Sequence, residues 1–414
     1  MGHSREGKVA RIALTCLLPL VLLAAACTLD VTAPCDPPPE SWDPALNTHP
    51  NGAAFQELLD RYVERGLPGV VLLVRTPEGL WNGASGYARV ETGDVMTPTH
   101  RFHGASVTKM YTATAVMLLV EDGLVELDAP IREYLPEDVW RPIPNGGEAT
   151  VRQLLSHRSG IPDFSGNLRY DLDSLNDPFG ELSTEKLLGY LHGQSSWIAP
   201  GEGYFYSNAN YVLLAMIVDA VATSGHAGII SQRILQLLGL TATYYKNEEG
   251  FPTPPGLVNS YQDLAGDGRL MNVSDLTIQG AKVLFGNAGL IATSGDYATF
   301  IEALMKGEIV SPETLATMSE KPTETSTYGL GLSLVLTDFG VAVGHSGAEL
   351  GAMSGVRYYP DRDATLVLLS NGGDGGLPER LFNELWSEAK EALCCMAREK
   401  GQIPHPPKRD YATR

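Results

Sequence analysis

The chain has 414 residues, of which 43% are hydrophobic and 19% are charged. This composition is typical of a globular protein with one large domain or two ordinary ones, and it excludes wholesale disorder. The formal net charge of −19 makes the chain a poor partner for nucleic acids and for anionic membrane surfaces.

The N-terminus has the pattern of a secretory signal. A short basic lead precedes an apolar run over residues 12–27, IALTCLLPLVLLAAAC, which ends in small residues. The run is too short for a comfortable membrane span and is interrupted by proline. We therefore expect residues 1–26 to be removed as a signal peptide and the mature protein to be exported.

Cys27 closes the segment LAAAC, which resembles a bacterial lipobox, although Ala24 stands where leucine is preferred. Lipidation at Cys27 would anchor the protein to a membrane of the bacterial cell envelope, and plain cleavage near the same point is the alternative. The remaining cysteines leave two states open. Either Cys35 pairs with Cys394 or Cys395, or all three are reduced.

Residues 27–50 are rich in proline and aspartate and are predicted to form an extended tether. A folded domain is expected over residues 51–400, followed by a flexible tail over 401–414. The domain begins with NGAAFQELLDRYVERG, whose apolar residues recur at helical spacing. The next segment is GVVLLVRTPEGLWNGASGYA, and its two apolar runs around a turn predict a β-hairpin.

The middle of the chain favours helices and the last third favours strands. A helix is predicted for each of three segments: TVRQLLSHRSG, STEKLLGYLHGQ and NANYVLLAMIVDAVATSG. Strands are predicted for TYGLGLSLVL, FGVAVGHSG, MSGVRYYP and DATLVLLSNG, and a final helix for ERLFNELWSEAKEALCC. This order predicts an α+β fold, with one antiparallel sheet built from both ends of the domain, flanked by helices, and an all-helical subdomain inserted. A cleft between the two parts is the expected place for a site.

The segment RFHGASVTKMYTATAVMLLVEDG, residues 101–123, carries Ser106 and Lys109 at the start of an apolar helix. A helix brings positions i and i+3 to one face, so the two side chains are neighbours. Burial and the positive end of the helix dipole should both lower the pKa of Lys109 and favour its neutral amine. A neutral amine beside a hydroxyl activates that hydroxyl as a nucleophile.

Spacing alone does not identify this pair as catalytic. The same S-x-x-K spacing occurs at Ser183 with Lys186, where the serine is predicted to cap a helix, and again within SEAKEAL. Only the copy at Ser106 places its lysine at the head of a long apolar helix. A capping serine with a lysine that reaches solvent is the alternative interpretation at this point.

Three motifs, in the order Ser, Tyr, His, resemble those of the serine penicillin-recognising hydrolases. This family includes D-alanyl-D-alanine carboxypeptidases, class C β-lactamases, related esterases and D-amino-acid peptidases. Its motifs S-x-x-K, Y-x-N and K/H-T/S-G are matched by Ser106 and Lys109, Tyr206 and Asn208, and His345, Ser346 and Gly347. The segments LLSHRSGIPDF and AGLIATSGDYATFIEALMKG also look like family segments. The resemblance covers nearly the whole mature chain.

The resemblance implies acyl transfer through a covalent intermediate. Ser106 attacks a carbonyl carbon and forms an acyl-enzyme, while Lys109 and Tyr206 share the transfer of protons. With an unperturbed pKa near ~10, Tyr206 needs the neighbouring ammonium to become a useful base. The family also implies an oxyanion site between the backbone N–H groups of Ser106 and Ala348, the residue after Gly347.

The resemblance assigns substrate binding to further residues. Asn208 is expected to hold the substrate's amide, and Ser346 to offer its hydroxyl to a substrate carboxylate or to the leaving group. His345 stands where lysine is common, and with an unperturbed pKa near ~6.5 its charge would change within the working range. Activity on carboxylate-bearing substrates should then weaken as His345 loses its proton; a histidine merely satisfied at a strand end is the alternative. His157, in LLSHRSG, is interpreted as a packing residue.

Together these patterns predict an exported serine hydrolase, with a D-alanyl-D-alanine carboxypeptidase-like peptidase as the first hypothesis. A class C-like β-lactamase and an esterase or lactone hydrolase would use the same motifs, and an inactive member that binds wall fragments is the non-enzymatic alternative. The sequence contains no zinc-site spacing and no phosphate loop, so no cofactor or metal is expected. The expected partners are a small-molecule or peptide substrate and, through the lipid, a membrane. The oligomeric state is left open.

Overall fold

Strands from the two ends of the domain meet in one sheet in this computed structural model, which describes residues 42–180, 182–246, 253–280 and 285–399. All of these residues belong to one unit, which begins at residue 37. The predicted signal peptide, Cys27, Cys35 and the predicted tail over 401–414 lie outside the described residues.

The strands are β1 Gly69–Thr76, β2 Gly79–Arg89, β3 Asp94–Val95, β4 Phe102–His103, β5 Tyr244–Tyr245, β6 Tyr261–Gln262, β7 Met271–Asn272, β8 Leu290–Ala292, β9 Ser333–Thr337, β10 Gly340–Glu349, β11 Ala352–Tyr359 and β12 Ala364–Ser370. The α-helices are α1 Gly52–Glu64, α2 Thr108–Glu121, α3 Glu137–Trp140, α4 Val151–Leu155, α5 Leu168–Asn176, α6 Thr184–Gly189, α7 Asn208–Val221, α8 Gly225–Ile230, α9 Gln236–Leu238, α10 Ser294–Met305, α11 Pro312–Ser319 and α12 Gly376–Glu399.

Seven strands form the main antiparallel sheet, in the order β3-β2-β1-β12-β11-β10-β9. Three of them come from residues 69–95 and four from residues 333–370. The two groups join where β1 pairs with β12, from Val70 opposite Ser370 to Arg75 opposite Thr365. The predicted α+β class and the predicted origin of the sheet are confirmed.

Both faces of the sheet are covered, and the central strand β1 shows why. Side chains alternate along a strand, so Val71 and Leu73 face the large core beneath the helices of the inserted middle. Val70 and Leu72 face a second core, which is closed by α1 and α12. A strand buried on both faces has no polar positions to spare, and this explains the unbroken apolar run GVVLLV.

Helices dominate the inserted middle, as predicted, but it is not all-helical. It also contains a three-stranded sheet in the order β4-β8-β5 and the two-stranded pair of β6 with β7. Each of these strands has only two or three residues, which is too short to leave an alternating pattern in the sequence. The small three-stranded sheet matters because β4 leads directly into Ser106.

The predicted tether does not extend to residue 50. Residues 44–46 form a 3-10 turn capped by Asp43, and the chain then runs along β2. The backbone N–H groups of Thr48 and His49 both donate to the carbonyl of Leu80, at 2.8 and 2.9 Å. The segment looks like a linker because proline and polar residues are also suited to a strand edge.

Within the described ranges, no single helix is long and apolar enough to cross a membrane. A pair formed by Asn208–Val221 and Gly225–Leu238 passes the same test of length and composition, but it is bent by 85°. Nine residues of α7 are buried inside the protein.

Candidate active site

Ser106 lies in a tight turn between a short strand and a buried helix. β4 ends at His103, a 3-10 turn covers Ala105–Val107, and α2 begins at Thr108. Ala105 has a φ of 46°, in the left-handed region that costs a non-glycine residue about 1–3 kcal/mol. The strained residue immediately precedes the partly exposed Ser106.

Lys109 lies in the first turn of α2 and has no exposed surface. Its Nζ atom is 2.9 Å from Ser106 Oγ, 2.8 Å from Asn208 Oδ1 and 2.9 Å from the backbone carbonyl oxygen of Asn287. Burial lowers the pKa of Lys109 to about 7, in the predicted direction. A large share of the protein therefore carries a neutral amine at this position near neutral pH.

The contacts of Lys109 decide what its neutral amine can do. The oxygens of Asn208 and Asn287 can only accept, so they take two N–H groups of the amine. The remaining position on Nζ faces Ser106 Oγ, and in the neutral amine it is a lone pair. That lone pair can take the hydroxyl proton, so the geometry suits a general base beside a nucleophile.

Tyr206, in the loop before α7, contacts the same hydroxyl. Its phenol donates to Ser106 Oγ at 3.0 Å, and its ring centroid is 5.0 Å from Lys109 Nζ. Burial raises the pKa of Tyr206 above its ordinary value, and the nearby Tyr204 and Asp163 act in the same direction. Because burial keeps its phenol protonated, Tyr206 is a proton donor at working pH. Its expected role as a base stays a prediction.

Asn208 is the first residue of α7, and all of its polar side-chain atoms are engaged. Its Oδ1 accepts from Lys109, while its Nδ2 donates to Asp163 Oδ2 and to Ser165 Oγ, each at 3.1 Å. A substrate amide that binds to Asn208 must therefore replace one of these partners. Ser165 is the exposed partner and can leave at the lower cost.

Both ring nitrogens of His345 have hydrogen-bond partners inside the protein. Its Nδ1 lies 2.6 Å from the carbonyl oxygen of Ser346, and its Nε2 lies 2.9 Å from the hydroxyl of Tyr328. The carbonyl can only accept, so Nδ1 carries the proton and Nε2 accepts from Tyr328. Burial, with Lys109 nearby, lowers the pKa of His345 to about 3. The expected change of charge within the working range is therefore wrong, because the ring is desolvated and faces a lysine.

The strand β10 lies directly against the nucleophile turn, and Gly347 allows this approach. A Cβ atom at Gly347 would lie 2.2 Å from the carbonyl oxygen of Gly104 and 3.0 Å from the Cβ of Ala105. The next residue, Ala348, is exposed at the edge of the strand, as a donor to a substrate oxyanion must be. The pairing register agrees with an open edge at Ala348, since β9 pairs with β10 only from Gly340 to Gly344.

Arg357 is a site residue that the sequence analysis did not identify. It lies on β11 opposite Gly344, is 8% exposed, and donates from Nη2 to Ser346 Oγ at 2.9 Å. None of the ion pairs among the described residues includes it. Because a buried cation is costly without an anion, Arg357 and the exposed hydroxyl of Ser346 form a site suited to a substrate carboxylate.

Aromatic rings pack around His157, next to Tyr206. The ring of His157 lies 4.2 Å from the ring of Tyr206, 5.1 Å from that of Tyr211 and 4.9 Å from that of Tyr328. His157 is fully buried, and burial keeps its pKa well below the ordinary value. Its contacts agree with the packing interpretation. Tyr204 is half exposed at the rim.

Arg357 and Asp163 were not predicted from the sequence as site residues, for different reasons. Arg357 lies within MSGVRYYP, where a lone charge is usually at the surface, and only the register of β10 with β11 brings it to Ser346. A charged residue inside an otherwise apolar strand was the available signal. Asp163 lies in a loop and meets Asn208 across 45 residues of sequence, with no local pattern.

The comparisons agree with this geometry. The sequence matches the Beta-lactamase family over residues 54–388. It is 26% identical over 329 residues to Penicillin-binding protein 4* of Bacillus subtilis (strain 168), covering 73% of this chain and 68% of that protein. It is 29% identical over 382 residues to Esterase EstB of Burkholderia gladioli, covering 83% and 95% of the two chains.

Among solved structures, the D-amino acid amidase from Ochrobactrum anthropi SV3 complexed with D-phenylalanine superposes with a TM-score of 0.71 and 27% sequence identity. The superposition covers 84% of this chain and 99% of the amidase. The family match spans most of the domain that contains the Ser106 hydroxyl and the buried Lys109. The chain belongs to the β-lactamase family of serine hydrolases.

Proposed function

We propose that the protein is a D-alanyl-D-alanine carboxypeptidase-like peptidase that forms an acyl-enzyme on Ser106. Its substrate would be a peptide that ends in a free carboxylate. The observation that carries this choice is the guanidinium of Arg357, which is buried behind Ser346 and enters none of the ion pairs among the described residues. A peptide carboxylate would supply the missing anion.

The described residues support a complete acylation step. With the substrate carboxylate on Ser346 and Arg357, the scissile carbonyl would lie at Ser106, between the turn and the edge of β10. Lys109 takes the Ser106 proton as Oγ bonds to the carbonyl carbon. The tetrahedral oxyanion is held by the backbone N–H groups of Ser106 and Ala348.

Collapse of the tetrahedral intermediate breaks the C–N bond and leaves the acyl group on Ser106 Oγ. The leaving amine needs one proton, which the phenol of Tyr206 can donate while it regains a proton from the ammonium of Lys109. Water then attacks the ester carbonyl, with Lys109 as the base, and the acid product is released. The reaction consumes one water and yields one carboxylic acid and one amine.

A second candidate is an esterase, and the likeness to Esterase EstB over most of both chains favours it. An ester without a carboxylate would use Ser106, Lys109 and Tyr206 but would gain nothing from Arg357. The two candidates therefore differ in the contribution of one residue.

Export and lipid attachment at Cys27 belong to the same proposal. The basic lead, the apolar run and the segment LAAAC support them, and peptides of the cell wall would then be within reach of the enzyme. Mass spectrometry of the protein purified from its membrane fraction tests this, since a diacylglyceryl adduct at Cys27 is the expected product. A mature N-terminus without lipid would contradict the anchor.

The test of substrate class compares two peptides that differ only at the C-terminus. We expect hydrolysis of a peptide ending in D-Ala-D-Ala, with kcat/KM about 30-fold or more above that of the same peptide with a C-terminal amide. Arg357→Gln should abolish most of this preference, whereas Arg357→Lys should retain part of it. The exposed Arg269 provides the matched control, and Arg269→Gln should leave the preference unchanged.

Two further substrates distinguish the alternatives. If a p-nitrophenyl ester is turned over and neither peptide is, the protein is an esterase and the peptidase proposal is wrong. Rapid turnover of a chromogenic cephalosporin would instead assign a β-lactamase. Absence of any reaction, including covalent labelling of Ser106 by penicillin, would assign a binding protein.

A further inference from the structure

Asp163 contacts the site without touching the nucleophile. It lies in the loop between α4 and α5, and its two carboxylate oxygens accept separate hydrogen bonds from one residue. The backbone N–H of Asn208 donates to Oδ1 at 3.0 Å, and the side-chain Nδ2 of Asn208 donates to Oδ2 at 3.1 Å. Ser165 also donates from its hydroxyl to Oδ2, at 2.5 Å.

These contacts fix the orientation of the Asn208 amide. A carboxylate can only accept, so Nδ2 must face Asp163, and Oδ1 is thereby turned toward Lys109. If the amide rotated by half a turn, two donors would meet at Lys109 and two acceptors would meet at Asp163. The carboxylate therefore selects the rotamer in which Asn208 accepts from Lys109 Nζ at 2.8 Å.

The same carboxylate completes the start of α7. Ser207 is the N-cap of this helix, but its side chain makes no capping hydrogen bond. Asp163 instead reaches over from another loop and accepts the N–H of the first helical residue, Asn208. Burial raises the pKa of Asp163, and the hydrogen bonds from Ser165 and Asn208, together with the positive end of the helix, act in the opposite direction.

Several titratable groups face Lys109 from the elements packed around it. They are Asp163 and His157 from the segment between α4 and α5, His345 and Glu349 from β10, Tyr206 from the loop before α7, and Tyr211 from α7. Burial lowers the pKa of both histidines and raises the pKa of both tyrosines, so these four are neutral at working pH.

Two carboxyl groups also face Lys109, and they differ in their other partners. Glu349 has His103 Nδ1 at 3.3 Å and is also attracted to Lys246. Asp163 takes part in none of the ion pairs among the described residues, and Lys109 is the cation that acts on it. The side-chain amide of Asn208 therefore links the carboxyl group of Asp163 to Lys109.

We propose that Asp163 is a positioning residue of the hydrolase, which holds the Asn208 amide toward Lys109 and adds the negative charge that attracts its ammonium. This role rests on the proposed acyl-enzyme chemistry, but it does not depend on which substrate is used. The side-chain hydrogen bonds of Asp163 go to Asn208 and Ser165, and none goes to Ser106.

The test uses a fluorophosphonate, which labels an activated serine without any substrate recognition. The second-order rate of labelling is measured from pH 5 to pH 9 for the wild type and for Asp163→Asn. We expect the variant to react about tenfold more slowly at the plateau, because the Asn208 amide is no longer fixed. The acid limb of its pH–rate profile, where the rate falls as Lys109 becomes protonated, should move to lower pH by about one unit. The reason is that an ammonium that has lost a nearby anion gives up its proton more easily.

The matched control is Asp171→Asn, which removes one exposed carboxylate from α5 and should change neither rate nor limb. The double variant Asp163→Asn with Asn208→Asp places the carboxylate directly against Lys109 and should move the acid limb to higher pH. This double variant keeps one carboxylate and one amide at the two positions. If Asp163→Asn does not fold, the direction in which the acid limb moves in the double variant therefore tests the role of Asp163.

An unchanged acid limb in a folded Asp163→Asn variant would overturn the proposal, even if the rate or the melting temperature fell, because a purely structural residue would behave in that way. Movement of the limb in the same direction in both variants would also contradict it. Failure of the peptidase proposal is recognised separately, since wild-type protein would then be labelled at Ser106 but would not cleave the peptides.

Discussion

The Nζ atom of Lys109 lies 2.9 Å from the hydroxyl oxygen of Ser106, although the lysine side chain has no exposed surface. A buried amine in contact with one hydroxyl and two acceptor oxygens has its lone pair directed at that hydroxyl. The same S-x-x-K spacing occurs elsewhere in the chain. The burial of Lys109 distinguishes this pair from the other copies.

Replacement of Lys109 should therefore remove nucleophilic activity. We expect Lys109→Ala to lower the rate of acylation of Ser106 by about 10³-fold, since a general base contributes on that scale. The control is Lys186→Ala, which removes an exposed lysine with the same spacing from a serine. Equal loss in both variants, measured as the burst of p-nitrophenol from an active ester, would mean that the Lys109 amine is not the base.

Acylation should depend on pH through a single acid limb. Because burial lowers the pKa of Lys109 to about 7, the base form predominates above that pH, and the rate should fall tenfold per unit well below it. No alkaline limb is expected below pH 9, because burial raises the pKa of Tyr206 and keeps its phenol protonated. Stopped-flow acylation from pH 5 to pH 9 checks both limbs, and a midpoint near pH 10 would exclude this assignment.

Preference for a carboxylate should not vary between pH 5.5 and pH 8. Burial lowers the pKa of His345 to about 3, so the ring stays neutral across this range, and in the proposed function the positive charge comes from Arg357. The measurement is the ratio of kcat/KM for the peptide acid and the peptide amide, in which the effect of Lys109 cancels. A tenfold fall of this ratio with a midpoint near pH 6.5 would show that the His345 ring carries the charge after all.

Buried histidines should make the fold sensitive to acid. Burial lowers the pKa of His226 to about 3, from an unfolded value near 6.5, so the unfolded chain binds more protons between these limits. The free energy of unfolding should therefore fall as pH drops from 6.5 toward 3, by up to about 1.4 kcal/mol per pH unit for each such histidine.

His226 is the histidine of choice for this measurement, because its two ring nitrogens contact Thr112 and Tyr245 and not the active site. The free energy of unfolding in urea is measured for His226→Gln at pH 4.5, 5.5 and 6.5. Its dependence on pH should correspond to about one proton fewer taken up on unfolding than in the wild type. The same slope in both proteins would exclude protonation of this ring on unfolding.

Addition of one methyl group at Gly347 should separate folding from catalysis. Its Cβ would lie 2.2 Å from the carbonyl oxygen of Gly104, so β10 must move away from the nucleophile turn. We expect Gly347→Ala to remain folded and to lose about a hundredfold in kcat, since displacement by about 1 Å has this effect. Gly189→Ala, where a Cβ meets no atom within 4 Å, is the control. Wild-type kcat in the first variant would rule out the contact as a determinant of activity.

Periodic segments of the sequence predicted the fold well, because their signal is local. The apolar face of α1 is buried as expected, at Phe55, Leu58, Leu59 and Tyr62. Thr150 caps α4, and its partner Gln153 completes a capping box. Such features depend on residues three or four positions apart, which the sequence displays directly.

Prediction failed where a residue's environment comes from distant parts of the chain. The charge of His345 depends on its burial and on the proximity of Lys109, and neither is visible from the motif GHSG. Arg357 reaches Ser346 only through the register of two strands. The motifs therefore identified which residues belong to the site, and tertiary packing decided how they ionise.

The pairing of β1 with β12 has a consequence for how the protein is made. Val70 lies opposite Ser370, so the first long strand to leave the ribosome waits for a partner that is synthesised 300 residues later. β10, which closes the nucleophile turn, is itself held in the sheet through β11 and β12. A nascent or truncated chain can therefore contain the reactive serine without any hydrolytic activity, and assembly of so distant a contact is expected to be slow.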